Sequence, residues 1–266
     1  MDVRQLRDFY ASPLGQTARR LVRRRIRTIW PHADGLDVLG LGYATPYLRP
    51  YKDSARRVIG FMPAGQGVVR WPAHEPSHTS LVDEHTLPLP DGCMDRVLVV
   101  HGIENAAAVA PMMREIWRVM APEGRLLLVV PNRHGVWARF DTTPFGHGRP
   151  FNTGQIERFL DESLFSTEHV DGALYPPPFA YKLWVNTPGT WEDAGHRFWR
   201  AFGGVLIVEA SKRVAALRPL RQKVSVLAPV KQLAGAGRRW RPVGPTPGAA
   251  RDVSGSGNGW QDTMTG

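Results

Sequence analysis

Two stretches of this chain combine residue types that can bind or react. The first reads Asp37-Val38-Leu39-Gly40-Leu41-Gly42-Tyr43-Ala44-Thr45-Pro46-Tyr47-Leu48, a strand running through a small-residue turn into a helix. Such a turn lets ligand atoms approach the backbone and sets a polar group against a helix N-terminus; it also serves as a plain packing corner. The second covers residues 131–151 and holds Asn132, Arg139, His147 and Arg149 with a carboxylate and several aromatic rings. It follows an apolar run at 126–130, and long irregular segments at the carboxyl end of a buried strand are where open α/β sheets bind ligands. It is expected to roof a substrate site, joined by Tyr175 and the prolines at 176–178. Each member has a structural alternative: His147 braces a Gly-rich turn, or Arg149 only pairs with a carboxylate. No H-E-x-x-H, G-x-S-x-G or P-loop pattern occurs, so metalloprotease, α/β-hydrolase and P-loop NTPase readings have no support. Cys93 is the sole cysteine, which excludes a disulfide framework and a zinc site with two thiolates; no metal is expected.

The elements that must position these groups follow from periodicity. Apolar runs at 37–41, 57–61, 94–100 and 125–130 read as strands, and 167–174 and 204–210 as later ones. Residues 45–48 are expected to lead into a helix, and further helices are expected at 107–120 and at 153–160, the last capped by Asn152 or Thr153. Pro122-Glu123-Gly124 reads as a turn. This alternation argues an α/β fold, a mostly parallel sheet with helices on both faces. Before it, Leu14, Ala18, Leu21, Val22, Ile26, Ile29 and Trp30 line one side of a helix ended by Pro31, with arginines around the rest.

The 266 residues carry a net charge of +10, unevenly spread. Residues 1–30 hold +6 and residues 213–266 hold +7, which leaves −3 for residues 31–212. The central domain therefore does not work through a general basic surface. Three parts are expected: a basic amphipathic N-terminal helix over 1–30 packed on the domain, the α/β domain over 31–212, and a basic tail over 213–266. The tail, with five Pro and eight Gly, is expected to be largely disordered. No apolar run reaches the ~20 residues of a membrane span, and the first residues lack the apolar core of a signal peptide. A cytoplasmic location is the expectation.

Two segments in register add a family resemblance. Leu87-Pro88-Leu89-Pro90-Asp91-Gly92-Cys93-Met94-Asp95 leads from a proline loop into a strand. Glu115-Ile116-Trp117-Arg118-Val119-Met120-Ala121-Pro122-Glu123-Gly124 leads from a helix into the next. Together they resemble the class I S-adenosylmethionine-dependent methyltransferases of the small-molecule type, with their "LPFPDxSFD" loop and "E-x-x-R-V-L-x-P-G-G" turn, over about residues 35–212. The resemblance implies a Rossmann-like fold with a seven-stranded sheet, S-adenosylmethionine as cofactor and a small-molecule acceptor. It lays the cofactor over Gly40, Leu41, Gly42, Tyr43 and Ala44, beside Met62, Asp83 and Glu84, with the sulfonium near His101.

The match has gaps. Ala44 and Pro46 stand at two glycine positions of the family's turn, Gly40 replaces the acid that closes the first strand, and Met62 replaces the carboxylate that holds the ribose. Two lost charged hydrogen bonds cost ~3–6 kcal/mol, or about two to four decades of affinity. Methyl transfer needs close, aligned approach, and a base only where the acceptor must lose a proton. His101 and His147 are the candidate bases. The alternative is a non-catalytic module of this fold that has lost the cofactor and docks on RNA, an anionic membrane or a protein partner through its basic ends.

Overall fold

A computed structural model of the chain describes residues 1–184 and 186–213. The expected tail lies, beyond Arg213, outside the described residues. Seven strands form one sheet: β1 (Asp37–Gly42), β2 (Arg57–Pro63), β3 (Thr79–Val82), β4 (Met94–Val100), β5 (Met120–Pro131), β6 (Phe165–Ala173) and β7 (Val205–Lys212). Their order is β3-β2-β1-β4-β5-β7-β6. Pairings from β3 through β5 are parallel, and β7 slots in antiparallel between β5 and β6.

The two faces of the sheet follow the period-two alternation of strand side chains. Val38, Leu98, Val100, Leu127 and Val129 point to one face, under α1 (Val3–Ala11), α2 (Pro13–Ile29) and α3 (Thr45–Leu48). Leu39, Leu41, Val97, Val99, Leu126 and Leu128 point to the other, under α4 (Val109–Val119) and α5 (Thr153–Glu162). Burial on both sides explains why these strands read as unbroken apolar runs. Two further helices, α6 (Tyr181–Trp184) and α7 (Pro188–Phe198), fill the excursion between β6 and β7.

The N-terminal segment differs from the single helix expected from residue 14. Residues 3–11 form a helix of their own, with a capping box in which Asp2 accepts from the Arg4 N–H and Gln5 reaches back to the Asp2 N–H. Ser12 then closes α1 through its hydroxyl to the Phe9 carbonyl and caps α2 by accepting from the Gly15 N–H at 3.0 Å. The helices cross so closely that a β-carbon at Gly15 would stand 1.9 Å from the Phe9 carbonyl oxygen. Leu6, Ala18, Leu21, Val22 and Ile26 are buried.

Three other local expectations shift. The helix expected from residue 107 starts at Val109, after a 3-10 turn at Ile103–Asn105. Met120 through Gly124 belong to β5, where an irregularity against β4 absorbs the turn. The edge strand β3, with only Val82 buried, has too weak an apolar pattern to be read from sequence.

The two segments that carried the family resemblance clamp each other. Arg118 donates to the carbonyls of Leu87 and Leu89 and to the carboxylates of Glu115 and Asp91, while the Leu87 N–H donates to Glu115. These bonds hold the Glu115 carboxyl below its ordinary range. The motif thus fastens the loop before β4 to α4; it does not touch the site.

Candidate functional site

The strands β1, β2, β3 and β4 end on one edge, and the chemistry-bearing residues gather there. His101 directly follows β4 in a left-handed backbone conformation, φ +53°, which a β-carbon makes costly and which is held by its contacts. Its ring is 2% exposed, with Nδ1 3.1 Å from Glu104 Oε1 and Nε2 2.9 Å from the Tyr10 hydroxyl. Tyr10 in turn meets the Tyr47 hydroxyl at 3.0 Å. A carboxylate only accepts, so Glu104 fixes the proton on Nδ1 and leaves Nε2 to accept from Tyr10. Phe145 packs on the imidazole at 5.2 Å between ring centroids. Gln66 donates to the His101 carbonyl at 2.9 Å.

A cleft of about 130 Å³ opens beside this network, lined by Pro63, Gln66, Glu84, His101, Gly102 and Asn105, with Met1 at its edge. Two buried acceptors have no partner among the described residues: Oε1 of Gln66, which lines the cleft, and Oε2 of Glu104, which bonds His101 through its other oxygen and does not line it. Helix α1 lies across the strand ends above them. The Val3 N–H donates to the Gln66 carbonyl, and the Tyr10 ring stacks on Tyr43 at 5.6 Å.

The expected cofactor contacts divide. Glu84 and His101 line the cleft. Asp83 turns outward: its side chain is 63% exposed, and it accepts from the His85 N–H and pairs with the His85 ring. Met62 is fully buried in the core, its sulfur 3.4 Å from the Val69 N–H. The glycine turn is packed by the protein itself. A β-carbon on Gly42, at φ +79°, would lie 2.3 Å from the Val100 carbonyl oxygen; one on Gly40 would strike Leu48. Leu41 lies in the core and Ala44 is buried, and the Tyr43 N–H donates to the Val100 carbonyl.

The expected roof is tightly built. Trp137 and Phe145 are buried edge to face, and the Trp137 indole N–H donates to the Pro176 carbonyl at 2.8 Å. Asn132 is put to structural use: its amide donates to the carbonyls of Ala201 and Gly203, and its oxygen accepts from the His134 N–H. The His147 ring bonds the Asp141 carbonyl at 2.7 Å, the turn-bracing role. The Arg149 N–H donates to the Glu104 carbonyl, and the side chains of Arg149 and Arg139 are exposed. Tyr175 packs against α7, beside Gly195 and the His196 ring. Of the loop, Phe145 reaches His101 with its side chain.

Sequence reasoning missed Tyr10 and Gln66. Val3, Leu6 and Tyr10 are spaced as one helix face, a signal that could have found the helix but not what it covers. Among the described residues, no group of three or more His, Cys, Asp or Glu could hold a metal ion, and no helix is long and apolar enough to cross a membrane.

The residues present suit S-adenosylmethionine in chemistry and not in volume. The unpartnered Gln66 oxygen and the Glu84 carboxylate, both lining the cleft, complement a cationic, hydroxyl-rich ligand. Binding sites for such ligands span about 300–1,000 Å³. Met1 lines this cleft, and Tyr10 of α1 bonds the His101 ring beside it.

Residues 36–128 match the methyltransferase domain family. A protein of Mycolicibacterium smegmatis described as a probable S-adenosylmethionine-dependent methyltransferase is 32% identical over 151 residues, 53% of this chain and 56% of that one. The demethylmenaquinone methyltransferase of Thermus thermophilus is 30% identical over 109 residues, 40% and 49% of the two chains. The chain thus spans about half the length of these curated relatives. In fold it is similar to a SAM-dependent methyltransferase of Archaeoglobus fulgidus, with TM-score 0.54 and 16% identity over 77% of this chain and 96% of that one. The strand order with its antiparallel β7, the clamped loop before β4 and these likenesses agree: the sheet has the fold of S-adenosylmethionine-dependent methyltransferases, and residues 36–128 match the methyltransferase domain family.

Proposed function

We propose that the domain transfers a methyl group from S-adenosylmethionine to a small-molecule acceptor in the cytoplasm, at the edge where β1, β2 and β4 end. The observation that carries this reading is the convergence of Glu84, Gln66 and His101 on one cleft, with the buried Glu104 holding the imidazole from behind and the buried Gln66 oxygen left without a partner. When bound, the cofactor supplies an electrophilic methyl carbon that a nucleophile attacks in line. Glu84 and Gln66 would hold its hydroxyl and amino groups, and the buried Glu104 carboxylate would offset its positive charge.

The chain's own residues supply orientation and a proton acceptor. Glu104 holds the His101 ring with its proton on Nδ1, so the lone pair on Nε2 is the basic site. In the docked arrangement Tyr10 occupies that lone pair. Withdrawal of α1 exposes it to an acceptor and enlarges the cleft, and redocking excludes water from the site.

Calorimetry with S-adenosylhomocysteine tests this on the full chain. Binding is expected, weakened at least about ten-fold by Glu84→Ala, with Asp83→Ala a smaller change. No heat and no thermal shift at millimolar ligand, in the wild type and in Tyr10→Phe alike, would refute it. That outcome favours the second reading, a non-catalytic module, which the filled glycine turn and the buried Met62 support.

A further inference from the structure

Five arginines from four separate segments face one cavity on the other side of α1. Arg7 comes from α1, Arg19 and Arg23 from α2, Arg49 from the turn after α3, and Arg70 from the segment after β2. The cavity holds about 380 Å³, and Trp71 and the rings of Tyr10 and Tyr43 complete its wall. No acidic residue lines it.

Most of this charge is uncompensated. Arg7 pairs with Asp8 on the exposed side of α1, and Arg70 donates to the Glu75 backbone carbonyl. Arg19, Arg23 and Arg49 form no ion pair among the described residues, and Arg19 Nε is buried with no hydrogen-bond partner. Guanidinium groups held together in a concave site repel one another, and burial of a donor without a partner is costly. Some arginines outside the cavity are paired: Arg56 and Arg57 share Asp37, and Arg24 and Arg25 share Asp193. Arg20, Arg24 and Arg27, along the outer side of α2, differ in kind, being a one-helix face that adjoins the cavity only through Arg23.

We infer that this cavity binds the phosphate or diphosphate group of a small organic molecule. Planar guanidinium forks match phosphate oxygens in bidentate pairs, and a concave set from four segments surrounds a compact polyanion rather than lying along a polymer. The volume accommodates a diphosphate with a small organic group on the rings of Trp71 and Tyr43. The site is distinct from the cleft at His101 and stands whether or not methyl transfer occurs there, although Tyr10 borders it too.

The probe is inorganic pyrophosphate, titrated calorimetrically into the full chain at low and at 0.5 M salt. Saturable binding with half-saturation below about 1 mM at low salt is expected, weakening with salt. Arg23→Gln and Arg49→Gln should each weaken it at least five-fold, with melting temperature kept as the folding control. Vesicles containing phosphatidic acid separate the sources of the group. Vesicle binding that pyrophosphate displaces identifies a lipid headgroup, and pyrophosphate binding without vesicle binding identifies a soluble phosphate ester. Absence of saturable pyrophosphate binding, affinity unchanged in both variants, or binding only to a single-stranded oligonucleotide would overturn the inference.

Discussion

Replacing Tyr10 with phenylalanine removes one hydroxyl while the ring stays on Tyr43. That hydroxyl meets His101 Nε2 at 2.9 Å and Tyr47 at 3.0 Å, both in buried surroundings. Each such bond contributes about 1 kcal/mol net. When α1 is undocked, water satisfies the same groups, so the substitution destabilises only the docked arrangement, by about 2 kcal/mol. At 1.4 kcal/mol per decade, the docked-to-open ratio falls about 30-fold. On the proposed reading docked α1 keeps the cleft too small for the cofactor, so the apparent affinity for S-adenosylhomocysteine rises as the competent fraction rises, by up to the same factor. Calorimetry reads the affinity, and hydrogen exchange of residues 3–11 reads the docking. Faster exchange with unchanged affinity refutes the claim that docked α1 excludes the ligand; unchanged exchange refutes the latch itself.

Gly42→Ala places a β-carbon 2.3 Å from the Val100 carbonyl at φ +79° and should cost about 2–4 kcal/mol in urea unfolding. A near-neutral result would mean that the turn is looser than described. Glu192 of α7 accepts the N–H groups of Leu174 and Tyr175, yet burial pushes its carboxyl up to about 7. Because the folded value lies above the unfolded one, its contribution is full below about pH 4.5 and is lost as pH rises to about 7, a change of about 3 kcal/mol. Glu192→Gln should remove that part of the slope between pH 5 and 8, and an identical slope in both proteins contradicts it. Deleting residues 2–30 uncovers the sheet face under Leu6, Leu21, Val22 and Ile26, each worth about 1.5–3 kcal/mol when buried. The sum rivals a whole domain's stability. The truncated chain is expected to be insoluble or unfolded, and a normal circular-dichroism melt would disprove that.

Much of the architecture was legible in the residues, because strand burial on both faces and helix amphipathicity are local periodicities. The runs around Val38, Val97 and Leu127 are strands in the structure, and the loop and turn around Asp91 and Arg118 pointed to the family before any contact was known. The site was legible only in outline. Gly42 and His101 stand at strand ends as their positions implied, and Glu84 joins them after the unforeseen edge strand β3, since topology carries every such end to one edge of the sheet. What those residues touch was not legible. The closure of His101 by Tyr10 joins positions 91 residues apart. The arginine cavity gathers side chains from positions 7 through 70 that share no motif. Whether the small-residue turn faces a ligand or its own neighbour depends on a few ångströms between Gly42 and Val100. Periodicity specifies which face of an element is buried; only the packing of α1 and α2 over the sheet edge decides what buries it, and that packing is set by contacts between segments that sequence spacing does not encode.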